Sequence, residues 1–255
     1  MSWDPTQYLA FADHRQRPAV DLLSHISLLA PATVYDLGCG PGTMTKLLRK
    51  RFPAAIIVGV DGSDAMLARA ATLAPGNEWL QADIASWTPR QPADLIFSNA
   101  ALHWLDQHQR LLPQLMGYLT PGGVLAVQMP RNHGAPSHTG IAESISAGPW
   151  ADRLKKVRSI QPVGTADFYY DILANHAATL DIWESDYLQV LEGHDPVVEW
   201  TKGTVLKPFL DALTEAERPL FLADYSARMQ KAYPPQADGR TLFPFRRLFI
   251  IATRT

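Results

Sequence analysis

Residues 34 to 42 read Val-Tyr-Asp-Leu-Gly-Cys-Gly-Pro-Gly, with three glycines at alternate positions directly behind an apolar run. Such spacing serves a backbone that turns sharply and lets a ligand approach it closely, because glycine enters the left-handed region without steric cost. The candidate ligand contacts in this turn are Asp36, Gly38, Cys39, Gly40 and Gly42. A nicotinamide dinucleotide site would require G-x-G-x-x-G, placing the third glycine at position 43, where Thr43 stands. No lysine follows at the spacing of a P-loop, so the ligand need not carry phosphates. Asp36 is placed to fix loop amides or to meet an ammonium group. Three further polar positions close successive apolar runs, where an open α/β sheet has its ligand edge. Asp61 suits a pair of ribose hydroxyls, Asp83 with Ile84 suits an adenine amine and its apolar ring, and Asn99 closes the fourth run. Cys39 reads as a small buried thiol without a catalytic role.

These residues need strands to carry them, and the pattern from Pro18 onward alternates strands with helices. A helix is expected with Pro18 in its first turn, running through AVDLLSHISLL, then a strand over 33–37. A helix over about 42–51, a strand ending at Asp61 and a helix capped by Ser63 complete a βαβ unit. Further strands are expected at 78–82, 93–98 and 123–129, the last entered through the turn Pro121-Gly122-Gly123, giving five parallel strands. Helical segments over 139–175 are broken at Gly148-Pro149 and Pro162. Two long β-like runs follow at 179–191 and 241–253, and the nearly fifty residues between them are too long for a plain loop. The whole reads as one domain, with its core over 18–130 and a helical cap formed by 131–175 and 192–240 over the site. No independent second core is expected.

At 255 residues and 47% hydrophobic content the chain is long enough for this core. A net charge of −2 argues against a nucleic-acid partner, which would call for a basic face. The run SNAALHW after the fourth strand also lacks the N-P-P-Y-like sequence that stacks a flipped base. The absence of a long apolar run and of a basic-then-apolar leader predicts a cytoplasmic protein away from the membrane. The single Cys39 excludes an intrachain disulfide. A monomer is the default.

Together DLGCGPG, VDGSDAM, ADI and FSNAALHWL resemble the ordered motifs of the class I methyltransferases over about residues 34–130. The resemblance implies a Rossmann-like α/β sheet, mostly parallel with an antiparallel last strand. It implies S-adenosylmethionine as methyl donor, S-adenosylhomocysteine as product, and no metal. The start of the helix after Asp61 then lies beside the adenine, which makes Gly62 and Met66 candidate contacts, while Met66 also reads as helix core. Outside the core, WDPTQYLAFADHRQRPAVDLL, ALHWLDQH, VLAVQMPRN, YYDIL, DIWESDY and RLFIIATR resemble the trans-aconitate 2-methyltransferase family. That implies methyl ester formation on a small tricarboxylate. Two alternatives stay open: a carboxyl methyltransferase acting on a malonyl group held by a carrier protein, and a non-catalytic regulator that binds S-adenosylmethionine.

A trianion taken out of water demands cations, because an unpaired buried carboxylate costs several kcal/mol. The candidates are Arg15, Arg17, Arg131, Lys202 and either Arg246 or Arg247, with arginine favoured for its bidentate grip. If the last strand is antiparallel, its beginning lies at the ligand edge, and strand alternation turns one of Arg246 and Arg247 toward the site. His103 is a candidate general base, although a carboxylate is already ionised near pH 7 and needs none. Trp104, Tyr169, Tyr170 and Trp200 are candidate pocket walls.

Overall fold

The computed structural model describes residues 12–157 and 162–255. In chain order the elements are α1 (Ala12–Ser24), β1 (Thr33–Leu37), α2 (Thr43–Arg51), β2 (Ile56–Asp61), α3 (Asp64–Leu73), β3 (Glu78–Gln81) and β4 (Ala93–Asn99). A 3-10 turn (Leu102–Trp104) leads to α4 (His108–Gly117) and β5 (Leu119–Pro130). There follow α5 (Pro136–Ala147), α6 (Ala151–Leu154), α7 (Ala166–Leu173), β6 (Ala177–Leu191), α8 (Pro196–Lys202), α9 (Lys207–Ala212), α10 (Glu217–Ala232) and β7 (Thr241–Arg254).

The sheet order is β3-β2-β1-β4-β5-β7-β6. Strands β1 to β5 pair in parallel, and β7 runs antiparallel to β5, so the fold is the expected Rossmann-like α/β sheet. Every residue of β1 is buried, which is why TVYDL reads as a continuous apolar run instead of an alternating one. Ser63 caps α3 as expected, its side chain accepting from the Met66 amide.

Several boundaries differ from the sequence reading. Helix α1 begins six residues before Pro18, which lies inside it, and ends at Ser24. There the Ser24 hydroxyl and the His25 ring both engage the Asp21 carbonyl, and the helix ends two residues before the run ISLL that the pattern had included. Strand β5 begins before the Pro-Gly-Gly turn and carries it as an interruption. Leu119 pairs with Ala93 and Val124 with Leu95, so the intervening residues bulge out of the ladder, and Gly122 supplies the positive φ of 76° that this needs.

The chain forms two compact units. One holds residues 15–130, 162–185 and 247–255, and the other holds 12–14, 131–157 and 186–246. This corrects the expected cap in two ways. Helix α7 belongs to the first unit, because Tyr169 and Leu173 bury in its core beside Leu111, Leu112 and Leu115 of α4. The second unit also has its own hydrophobic core, built from Trp150, Val197, Trp200, Leu206, Phe221, Tyr225 and Phe243 among others. Within it α5 and α10 approach at Gly140, where a Cβ would stand 2.7 Å from Met229. Tyr225 donates to the Ser137 carbonyl at 2.8 Å, satisfying the one polar atom of a fully buried ring.

Candidate active site

The glycine-rich turn joins β1 to α2 in the first unit. The amides of Gly38 and Cys39 both donate to the Val60 carbonyl of β2, at 2.8 and 3.1 Å. The Gly40 amide donates to Asp61 Oδ2 at 2.9 Å, and the other Asp61 oxygen accepts from the Ser63 amide at 2.9 Å. One carboxylate thus pins the turn after β1 to the start of α3, and each of its oxygens keeps a second lone pair for a ligand. Asp61, and not Asp36, therefore fixes the loop amide.

The three glycines are present for different reasons. Gly38 has φ +71°, and a Cβ there would lie 2.1 Å from the Cβ of Ala101, with Ile84 at 3.6 Å. Gly42 has φ +82° and packs on Ala70 and Trp79, both within 2.9 Å of a built Cβ, so it serves the packing of α3 and not a ligand. Gly40 has φ +52° and only open space around the Cβ position, which leaves its face free for a ligand. The Cys39 side chain is buried and stands 3.1 Å from a built Cβ at Gly59, and burial with the neighbouring Asp36 pushes its thiol up, which disfavours the thiolate. Trp79, which sequence reasoning missed, lies across Gly42 and Gly59 and backs the whole turn. A lone tryptophan in the polar segment NEWLQAD was the available signal.

Asp83 is exposed and caps its own turn, Oδ1 accepting from the Ala85 amide at 2.9 Å. Gly62 is exposed and Met66 half-buried at the start of α3. Asn99 ends β4, and its Oδ1 is buried without a hydrogen-bond partner among the described residues. Ala100 then adopts φ 52°, a strained value for a residue with a Cβ, and its amide donates to the Gln128 carbonyl of β5 at 2.9 Å.

Asp36 is fully buried and accepts from Thr45 Oγ1 of α2 at 2.6 Å. Burial raises its pKa from 3.8 to about 7; the Thr45 hydrogen bond opposes this, and the charge of Asp61 adds to it. The unfolded carboxyl ionises at the lower value, so as pH climbs between the two values the unfolded chain loses a proton that the folded chain keeps. Stability therefore falls with rising pH across that window and stays reduced above it. Asp36→Asn is expected to flatten this slope, as read from urea midpoints at pH 5 and pH 8. An unchanged slope would place the effect elsewhere.

The acceptor-side candidates scatter. Arg17 is exposed on α1, and Arg15 lies on the same helix with its side chain outside the described residues. Arg131 is half-buried, its amide donating to the Arg246 carbonyl at 3.0 Å. Arg246 is half-exposed and bound through two nitrogens to Asp186, at 2.9 and 3.0 Å. Arg247, by contrast, is only 6% exposed, so alternation along β7 turns it inward. Lys202 pairs with Glu199. His103 and Trp104 are half-buried neighbours in the 3-10 turn, with ring centroids 4.8 Å apart.

The expected aromatic walls need correction. Tyr169 is fully buried, its hydroxyl 2.7 Å from His108 Nδ1 while His108 Nε2 meets the Leu102 carbonyl at 2.9 Å, so it braces α7 against α4. Tyr170, on the next face of the helix, is 57% exposed, and Trp200 lies in the core of the second unit. Among the described residues no three or more His, Cys, Asp or Glu are grouped to hold a metal, and no helix is long and apolar enough to cross a membrane.

Residues 34–123 match a family model described as a methyltransferase domain. Along nearly its full length the chain is similar to the trans-aconitate 2-methyltransferase of Azoarcus sp. strain BH72, with 52% identity covering 99% of both chains. The enzyme of that name from Methylobacterium nodulans is 50% identical over 99% of this chain and 98% of its own, and that of Yersinia pestis 47% over 98% and 97%. Among solved structures, the YcgJ protein of Bacillus subtilis superposes with a TM-score of 0.58 at 15% identity, covering 92% of this chain and 97% of that one. A phosphoethanolamine N-methyltransferase of Haemonchus contortus, solved with S-adenosylhomocysteine, gives 0.57 at 14% identity over 94% of this chain and 53% of that one.

Proposed function

Because the chain belongs to the trans-aconitate 2-methyltransferase family of class I methyltransferases, we propose that it esterifies a carboxylate of trans-aconitate with the methyl group of S-adenosylmethionine. S-adenosylmethionine, when bound, would supply a sulfonium methyl carbon to which a carboxylate oxygen bonds as the C–S pair returns to sulfur, leaving S-adenosylhomocysteine and a methyl ester.

The residues at the strand ends fit that donor. The observation carrying the fit is the open face at Gly40, whose amide Asp61 holds, together with the buried Oδ1 of Asn99, which has no hydrogen-bond partner among the described residues. Asp61, already holding the Gly40 amide, accepts from the two ribose hydroxyls, and Asp83 with Ile84 takes the adenine amine and ring. Gly38, Gly40 and Asn99 face the amino-acid end. Asp36 acts from beneath, anchoring the first turn of α2 through Thr45. On the acceptor side the buried Arg247 is the foremost cation. His103 is not required as a base, since the acceptor enters already ionised, and alignment of the reactants supplies much of the acceleration.

Methyl transfer from labelled S-adenosylmethionine to trans-aconitate, with cis-aconitate, citrate and malonyl-carrier protein beside it, tests this. Turnover selective for trans-aconitate is expected. Equal or better turnover on malonyl-carrier protein, or S-adenosylhomocysteine binding with no transfer to any acid, would overturn the substrate assignment.

A further inference from the structure

Gln128 is the one polar residue in the β5 run Val124–Met129, and it is 0% exposed. Among the described residues neither its Oε1 nor its Nε2 has a hydrogen-bond partner. Both ends of a buried amide left unsatisfied make a standing destabilisation that leucine or methionine at this position would avoid. Its backbone is fully employed, the carbonyl holding Ala100 and the strand pairing with Asn99 on one side and Phe249 on the other. Among the described residues only the side chain is idle.

Residues opposite one another in neighbouring strands share a face. Asn99, Gln128 and Phe249 therefore form a row across β4, β5 and β7, and Arg247, opposite Pro130, stands one pair further along that face. The row lies at the carboxyl ends of β4 and β5. Phe249 carries Trp183 stacked on it at 4.7 Å and 4°, giving the row an apolar flank.

Resting on the carboxyl-methyltransferase reading, we propose that Gln128 Nε2 donates to the acceptor carboxylate that is methylated, while Arg247 grips a carboxylate that keeps its charge. The chemistry distinguishes the two positions. As an oxygen lone pair forms the new C–O bond and the C–S bonding pair returns to sulfur, the negative charge of the reacting carboxylate and the positive charge of the sulfonium both disappear. A cation against that carboxylate would hold the ground state more strongly than the transition state and raise the barrier. A neutral amide orients the oxygen with a much smaller difference between the two states. The carboxylates that do not react keep full charge throughout, and arginine suits them.

Gln128→Met and Gln128→Glu test the assignment by initial rates, S-adenosylhomocysteine calorimetry and thermal unfolding. Gln128→Met is expected to lower kcat/KM for trans-aconitate by about 10- to 100-fold, the range for a hydrogen bond to a charged group. It should bind S-adenosylhomocysteine within about twofold of the unaltered chain and unfold no earlier, since an unsatisfied amide has been removed. Gln128→Glu should regain activity as pH falls, because only the neutral acid can donate while the ionised form repels the acceptor. Wild-type kcat/KM in Gln128→Met would overturn the proposal, and so would a parallel fall in S-adenosylhomocysteine affinity, which would assign the amide to the donor's own carboxylate. An unaltered chain that transfers nothing to trans-aconitate would sink the functional reading itself, and the inference with it.

Discussion

Gly38→Ala is expected to abolish measurable S-adenosylhomocysteine binding and to lower unfolding stability by about 2–4 kcal/mol. Two separate penalties combine at this position. The backbone sits at φ +71°, where a Cβ is strained, and that Cβ would arrive 2.1 Å from the Cβ of Ala101. Neither atom is the far end of a flexible side chain, so backbone must move. Ala101 cannot yield alone, because the preceding Ala100 is held at φ 52° by its hydrogen bond to the Gln128 carbonyl. Displacing that turn shifts the end of β4 and with it Asn99. Gly40→Ala is the control, for it carries positive φ of 52° but open space, so only the strain of about 1 kcal/mol should appear. Urea unfolding and titration calorimetry on both variants decide the matter. If the two lose the same stability, the collision with Ala101 is not the cause.

The second large effect is expected at Arg247. Substitution by methionine should reduce kcat/KM for trans-aconitate by about 10² to 10³, the loss of a buried, charge-assisted pair worth roughly 3–4 kcal/mol. S-adenosylhomocysteine affinity should survive, because the glycine turn and Asp61 stand on β1 and β2, at a distance of two or more strands from β7. Arg247→Lys should recover only part of the loss, since an ammonium cannot grip a carboxylate with two parallel donors. Arg246→Met is the internal comparison. That guanidinium is 49% exposed and already joined to Asp186, so its removal should change activity little and stability by about 1 kcal/mol or less. A larger kinetic defect in Arg246→Met than in Arg247→Met would reverse the assignment of the two neighbours.

Much of this was legible in the residues. The alternation of apolar runs with capped helices located every strand of the sheet, because buried parallel strands and Ser63-type caps leave local marks. The elements of the cofactor side were legible for the same reason: they are short-range signals placed at strand ends. What escaped depends on long-range packing. Pro18 sits inside a helix whose N-terminal half it did not announce. Helix α7 joined the first unit because Tyr169 reaches His108 sixty-one residues away, which no local period encodes. The second hydrophobic core was missed because its residues come from two stretches separated by α7 and most of β6. Gln128 was visible as a polar residue in an apolar strand, but its idle amide becomes apparent only when the neighbouring strands are in register. Alternation turns one of Arg246 and Arg247 inward, and burial shows that it is Arg247.

The bend after β4 has a consequence for timing. Ala100 adopts its left-handed turn with the Gln128 carbonyl already in place, and Ala101 already rests over Gly38. The disorder that such a turn would otherwise surrender to each arriving ligand was lost once, when the chain folded. Encounter at this edge of the sheet therefore need not wait for the turn to be found.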